Sequence, residues 1–326
     1  MNGLSDAALR HLRRVTAEPD LSGTPYEIVE TLGHGGMGTV YLARDGRLDR
    51  EVALKVVQLP DGPPDLERLL REARVLARLE HPGIVPVHDA GLLPDGQAFY
   101  VMKRVRGSRL DEYARTAPLA ERLRAFERIC EAVAFAHAHG VIHRDLKPEN
   151  VMVGPFGEVL VMDWGVAKVR SHPGSAGIAG IVERGEEGGS TTPGTTHHGT
   201  AHGTIVGTPG YMAPEQERGE VDRLDERTDV WALGALLGFL LAGPERPPRP
   251  LAAIRRRAMA EVPEARYPKV EELAADLSRY LSGLPVGAYR ENVLERAGRF
   301  VRRYRTPIVL ILAYLVMRSL LIWFLA

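Results

Sequence analysis

The chain has 326 residues, of which 44% are hydrophobic and 26% charged, and its 42 Lys and Arg balance 42 Asp and Glu. That length holds one large or two small domains with ample core. The balanced charge excludes a global pull towards nucleic acid or membrane, so any anionic surface must be met locally. A single cysteine, Cys130, excludes an internal disulfide or a thiolate metal cluster and reads as core packing in a reducing compartment.

Residues 1–24 read as a polar lead-in, and the opening MNGLSDAALRHLRR lacks the apolar run of a signal peptide, so export is not expected. Residues 26–57 alternate in the β manner: YEIVETL, then GHGGMGTVYLA, then REVALKVV, which predicts an antiparallel sheet with a glycine-rich turn. In that turn Gly33, Gly35 and Gly38, followed by Val40, let backbone N–H groups lie over phosphate oxygens. Ordinary strand-turn-strand glycines have the same spacing. A dinucleotide fold needs a helix directly after the glycines, and a strand follows instead.

Lys55 ends the apolar run Val52, Ala53, Leu54. A lone cation there is costly without anionic partners, unless it snorkels to the surface. Leu66, Leu69, Leu70, Ala73, Leu76 and Ala77 recur at helical spacing, with Glu72 on the margin of the stripe, where a carboxylate can meet Lys55.

Two further strands, in IVPVHDAGLL and QAFYVMKRV, are joined by Pro94, Asp95 and Gly96, and this first part ends near Gly107. Leu123, Phe126, Cys130, Val133 and His137 mark one face of a long helix that Gly140 can stop. Residues 229–242 (DVWALGALLGFLLA) are apolar all round but too short to span a bilayer, which predicts a core helix. Val270, Leu273, Leu277 and Leu281 mark the last packed helix. Residues 170–204, rich in Gly, Ser, Thr and His, predict a long mobile loop.

Residues 143–150 read HRDLKPEN, and Asp163-Trp164-Gly165 begins thirteen residues after Asn150. Ala213-Pro214-Glu215 and Asp229-Val230-Trp231 follow in order. Singly, HRD reads as a turn with an Asx-type bond and DWG as a strand end. Jointly and in this order, the sequence resembles the protein kinase superfamily. The resemblance covers about residues 26–281 and is strongest to bacterial Hanks-type (eukaryotic-like) serine/threonine kinases, with LEHPGIVPVHDAG, GTPGYMAPEQ and PEARYPKVEEL as further segments.

The resemblance implies an α+β, two-lobed kinase fold. Its small lobe, an antiparallel sheet with one helix, would span residues 25–107. Its larger, mainly helical lobe would span 108–282 and carry 170–204 as an activation-loop insert. ATP would lie under Leu32, Gly33, His34, Gly35, Gly36, Met37, Gly38, Thr39 and Val40, against Ala53 and Lys55, with Met102 as gatekeeper and Val105 in the hinge. Lys55, held by Glu72, would meet the α- and β-phosphates, Asp145 would orient the acceptor hydroxyl or take its proton, and Lys147 would contact the γ-phosphate. Asn150 and Asp163 would hold Mg²⁺, with Mn²⁺ as a substitute.

Thr208 would stand near Asp145, and Arg266 would pair with Glu215. The implied activity is transfer of the ATP γ-phosphoryl to protein Ser and Thr hydroxyls. Lys147, two residues after Asp145, marks this branch. A pseudokinase scaffold would be favoured by loss of Lys55, Asp145, Asn150 or Asp163, and none is lost. A small-molecule phosphotransferase fits residues 207–215 poorly.

Two departures stand out. Trp164 replaces the usual Phe, a bulkier ring expected to pack against the Glu72 helix. Between Gly243 and Leu251 the chain has only GPERPPRPL, where relatives carry a longer stretch, which leaves substrate docking open.

Arg144 beside Asp145 resembles kinases switched on by activation-loop phosphorylation. The acceptor candidates are Ser190, Thr191, Thr192, Thr195, Thr196, Thr200 and Thr204. Trans-autophosphorylation would bring a homodimer among the partners, beside protein substrates, ATP and membrane lipid. His197, His198 and His202 lack the fixed geometry of a metal site. Residues 283–306 read as a basic juxtamembrane linker, with Arg299, Arg302, Arg303 and Arg305. Residues 307–326 carry one charge, Arg318, in a length that spans roughly 30 Å as a helix, which predicts a transmembrane helix; the other reading is a buried helix hairpin or a partner-bound amphipathic segment with Arg318 on its polar face. The positive-inside rule then keeps the kinase cytoplasmic, and with nothing after Ala326 no outer sensor domain is expected.

Overall fold

A computed structural model describes residues 19–35, 38–57, 75, 77–164, 168–169, 210–220, 223–243 and 246–325. The helix expected around Glu72 lies almost wholly outside these residues, and so does the loop expected over 170–204. The chain divides into two compact units, Met1–Ala117 with Phe135–His198, and Pro118–Ala134 with Gly199–Ala326.

The first unit is built on a five-stranded antiparallel sheet in the order β1-β2-β3-β5-β4. Its strands are β1 (Tyr26–Gly35), β2 (Gly38–Asp45), β3 (Arg50–Val57), β4 (Val87–Leu92) and β5 (Ala98–Lys103). Side chains alternate between the two faces, so register decides what each face carries. One face holds the apolar cluster Tyr26, Tyr41, Ala43, Val52, Leu54, Val56, Phe99 and Val101, all buried. Within it Tyr26 and Phe99 meet edge to face at 6.2 Å.

The opposite face carries Val40 beside Lys55, Lys55 beside Tyr100, and Ala53 beside Met102. Residues expected to line a nucleotide site are thereby brought into two adjacent rows. Register shifts in β1 between Ile28 and Glu30 and between Thr31 and Gly33 bend the strand as it enters the glycine turn. Gly38 has φ 137°, and a Cβ there would collide with the Val56 carbonyl, so the turn requires glycine at that position.

Beyond the sheet come β6 (Ser108–Arg109), α1 (Leu110–Thr116) and α2 (Leu119–Ala138). The apolar stripe expected on α2 is buried: Leu123 is 2% exposed, and Phe126, Cys130 and Val133 are 0%. Burial also pushes the Cys130 thiol well above its ordinary value. Gly140 follows with φ 76°, the left-handed stop expected for it. Then β7 (Val141–Ile142) leads to a single 3₁₀ turn (Pro148–Asn150) and the hairpin β8 (Val151–Val153) and β9 (Val159–Val161). The short strand β10 (Lys168–Val169) pairs with β7. The hairpin is tied down by Val161, whose N–H donates to the Gly83 carbonyl at 2.8 Å and whose carbonyl accepts from Val85 N–H at 3.2 Å.

The second unit is helical. It holds residues 119–134 of α2 together with α3 (Pro214–Glu217), α4 (Glu226–Leu240), α5 (Arg249–Ala258) and α6 (Val270–Leu281). Asp225 caps α4 by accepting from Arg227 N–H at 2.8 Å. The other end is held by Arg122, which donates to the Leu240 carbonyl at 2.7 Å. Val230, Leu233, Leu236, Leu237 and Leu240 are all fully buried, as expected of a core helix. Gly234 lets α5 approach closely, because a Cβ there would meet the Ala258 Cβ at 2.8 Å.

On α6, Val270, Leu273 and Leu277 are fully buried, but Leu281 is 36% exposed and ends the stripe rather than extending it. Asp276 is 3% exposed and accepts from Tyr267 O–H at 2.9 Å, Gly287 N–H at 2.7 Å and Ala288 N–H at 2.9 Å. It thereby fastens the chain that leaves α6. The basic stretch contains a helix, α7 (Val293–Arg303), which precedes α8 (Arg305–Leu325). Residues Thr306–Phe324 of α8 are long and apolar enough to cross a membrane, and none of that window is buried.

Candidate active site

Every described residue of the expected catalytic constellation falls in the first unit. Lys55 projects from the sheet face that carries Val40, Ala53 and Met102, is 6% exposed, and pairs through Nζ with Asp163 Oδ1. Burial of the ammonium is thus matched by a carboxylate, which is what makes a lysine tolerable on an apolar strand. Of the glycine turn, Gly33, His34, Gly35, Gly38 and Thr39 are described, and His34 Nδ1 lies 3.1 Å from Thr39 Oγ1. Leu32 is 47% exposed at the mouth of the turn. Gly36, Met37 and Glu72 lie outside the described residues, and so does any contact of Glu72 with Lys55.

The stretch between β7 and β8 is organised by its own side chains. His143 is fully buried and accepts through Nδ1 from Asp145 N–H at 3.3 Å. The proton is therefore on Nε2, which donates to the Met162 carbonyl at 3.0 Å. Arg144 turns the chain with φ 68°, and Asp145 emerges 6% exposed. Lys147 Nζ lies 2.7 Å from Asp145 Oδ2. Asn150 Nδ2 donates to the Asp145 carbonyl at 2.7 Å and to Asp145 Oδ2 at 3.1 Å.

The hairpin then brings the second half of the site to the first. Val151 pairs with Val161, and Met162 N–H donates to the Asn150 carbonyl at 2.8 Å, so Asn150 and Asp163 become neighbours although thirteen residues apart. Asp163 has φ 58°, a left-handed conformation uncommon outside glycine and found at functional turns. Trp164 is 5% exposed, its ring 4.5 Å from that of His143, and its Nε1–H donates to the Val161 carbonyl at 3.2 Å. The helix against which it was expected to pack lies outside the described residues. The contacts described hold the indole in the hairpin itself.

The donor set fits a hard divalent cation. Because Asn150 spends its amide N–H on Asp145, its amide oxygen is the coordinating end, and Asp163 adds a carboxylate. One or two protein oxygens of this kind are what such an ion takes when phosphates and water supply the rest. Among the described residues, no cluster of three His, Cys, Asp or Glu forms an all-protein cage.

In the second unit the expected pair of Glu215 and Arg266 is present and bidentate, at 2.7 and 2.8 Å. Arg266 is 2% exposed and also donates to the carbonyls of Ala260, Arg227 and Glu261. Burial alone would raise the Glu215 carboxyl, but the Arg266 guanidinium holds it below its ordinary value. Val105 is half-buried. Thr208, His197, His198, His202 and all the phosphoacceptor candidates from Ser190 to Thr204 lie outside the described residues.

Two residues in this site carry roles that were not read from the sequence. His143 orients both Asp145 and Met162, and Tyr100 faces Lys55 from β5. The signal for Tyr100 was present, since it stands two residues before Met102 on the same strand and so shares its face.

The protein kinase domain family matches residues 26–274 of the chain. Three relatives are serine/threonine-protein kinases PknD. That of Protochlamydia amoebophila (strain UWE25) is 34% identical over 305 residues, covering 79% of this chain and 30% of the relative. Those of Chlamydia muridarum (strain MoPn / Nigg) and Chlamydia caviae (strain ATCC VR-813 / DSM 19441 / 03DC25 / GPIC) are each 34% identical, over 332 and 328 residues, covering 87% of this chain and 34% of the relative. The chain belongs to the protein kinase family, and within it to the bacterial Hanks-type serine/threonine kinases, a family that uses ATP and a divalent metal. It spans about a third of the length of the curated relatives it matches.

Proposed function

We propose that the chain transfers the γ-phosphoryl of Mg-ATP to Ser and Thr hydroxyls of proteins. One observation carries the reading: Asp145 is held by Lys147 and Asn150, and one hairpin away Asp163 is held by Lys55. A bound Mg²⁺, or Mn²⁺ in its place, would be held by Asn150 and Asp163 and would neutralise phosphate charge. Asp145 orients the acceptor hydroxyl and takes its proton as the oxygen–Pγ bond forms and the bond from Pγ to ADP breaks. Lys147 and Lys55 offer fixed positive charge where negative charge accumulates.

Regulation follows from Arg144. A phosphate of about −1.5 to −2 charge on Thr191, Thr192, Thr195, Thr196, Thr200 or Thr204 pairs with that arginine and orders the segment. Two chains side by side in a membrane would phosphorylate one another. α8 serves as the single-pass anchor, with Arg299, Arg302, Arg303 and Arg305 on the cytoplasmic side, near anionic lipid.

The test uses the full chain in detergent with labelled ATP, Mg²⁺, candidate protein substrates and small alcohols. Product mass spectrometry should find label on Ser or Thr residues, including residues 190–204, and none with Asp145→Asn. Label on a small alcohol alone, or on nothing, overturns the reading. Undiminished turnover in a variant with alanine at every acceptor from Ser190 to Thr204 overturns the regulatory part.

A further inference from the structure

A groove of about 640 Å³ opens in the second unit where the C-terminal end of α4 meets α5, away from every residue of the site described above. Its size is that of a ligand pocket rather than of a packing defect. Leu241, Ala252 and Met259, each half-buried, line it with apolar surface, and Arg255 and Arg256, both exposed, line it with charge.

The other two arginines of α5 are engaged within the fold. Arg249 meets Glu295 at 3.2 Å, and the Arg257 guanidinium lies 4.3 Å from the centre of the Tyr267 ring. Arg255 and Arg256 differ, since among the described residues neither has an ion-pair or hydrogen-bond partner. Arg255 is nevertheless held in place. A Cβ at Gly238 would meet its Nε at 2.5 Å, so the guanidinium lies against the bare backbone of α4. A cation at the C-terminal end of a helix suits the helix dipole, and that attraction leaves its N–H donors unused. The chain as a whole has no net charge, so the positive field at this groove is local.

We propose that this groove docks an acidic segment of a partner protein, with an apolar side chain of that segment against Leu241, Ala252 and Met259 and its carboxylates on Arg255 and Arg256. Guanidinium groups take carboxylates in bidentate fashion, and arginine and methionine are both enriched where proteins meet. The unbranched methionine side chain adapts to what it touches. Consecutive residues of a helix point about 100° apart, so the two guanidinium groups flank the groove rather than converge on one point. That arrangement fits carboxylates spaced along a chain better than a single phosphate. A concave site also fits a peptide better than a bilayer, which is met by a protruding apolar face.

The test measures, by anisotropy and without nucleotide, the binding of a fluorescein-labelled oligoglutamate peptide with one central leucine to the full chain in neutral detergent. Its outcome is therefore independent of the kinase reading. Wild type should bind the peptide saturably, more weakly as salt rises, and more weakly again when glutamine replaces the leucine. Arg255→Glu with Arg256→Glu should raise the dissociation constant by at least about tenfold, because attraction becomes like-charge repulsion. Gly238→Ala, which displaces the Arg255 guanidinium at no cost to the fold, should raise it by about threefold and reads the groove even where the double variant misfolds. Arg47→Glu with Arg124→Glu, the same change of charge at two exposed positions elsewhere, should leave it within about twofold. No saturable binding by wild type, or wild-type binding by the groove variants, overturns the proposal. An equal loss in the control pair overturns it too, since the peptide would then read charge alone. Displacement of the peptide by phosphatidylglycerol at lower concentration than free oligoglutamate requires would overturn it in favour of a lipid headgroup.

Discussion

His143 shows how much of the site is held by single residues. It is fully buried, uses both ring nitrogens, and has the Trp164 indole against its ring. His143→Ala removes two buried hydrogen bonds and leaves a cavity, so it should destabilise the chain by about 2–4 kcal/mol in chemical denaturation. A loss under about 0.5 kcal/mol would show that the hairpin does not depend on it. Asp145, Lys147 and Asn150 were legible in the sequence because they share eight contiguous letters whose order is itself the signal. The roles of His143 and Tyr100 were not, since each depends on which strand lies beside which, and a strand's letters give its faces but not its neighbours.

The packing of α4 against α5 offers a test at the level of elements. A Cβ at Gly234 would meet the Ala258 Cβ at 2.8 Å, an atom that cannot move without its backbone. A Cβ at Gly238 would meet only the Arg255 guanidinium end, which swings away. Gly234→Ala should therefore cost about 1–3 kcal/mol. Gly238→Ala should be neutral or stabilising by up to about 1 kcal/mol, since alanine is the better helix former. Thermal melts of the two variants should move in opposite directions or differ clearly; equal losses would contradict the packing.

The Glu215–Arg266 pair makes a second prediction at this scale. Removing one partner leaves the other charge buried, so Arg266→Met should cost about 3–5 kcal/mol. The folded-state Glu215 carboxyl titrates below its ordinary value. Its contribution is therefore fully present above the unfolded carboxylate pKa, about 4.3, and is lost as pH falls through the lower folded value. The stability gap between wild type and Glu215→Gln should be widest near neutral pH and close under acid; a gap that widens on acidification has the wrong sign.

The apolar helix α4 was legible from its letters, because a run apolar on every side has only the core to go to. The helix α7 was not, because alternating Arg and apolar residues satisfy a solvated linker and an amphipathic helix alike. Leu281 misled for a related reason: spacing carries the stripe past the point where there is anything left to cover it.

For the whole molecule, the proposed anchor is α8. Eleven Leu, Ile, Val and Phe side chains within Thr306–Phe324 each favour insertion by about 0.3–0.6 kcal/mol, which outweighs about 2.5–3.5 kcal/mol for Arg318. The chain should stay in the membrane pellet after a carbonate wash, and deletion of residues 304–326 should release it. Release of the full chain would contradict the anchor.

The proposed division of labour between two aspartates is tested by measuring nucleotide binding and phosphoryl transfer side by side. Asp145→Asn should bind Mg-ADP within about twofold of wild type yet transfer phosphate at least about 100-fold more slowly in a single turnover. Asp163→Asn should lose the Mg²⁺-dependent part of nucleotide binding. Transfer by Asp145→Asn at the wild-type rate, or Mg-ADP binding that ignores the loss of Asp163, would contradict the account.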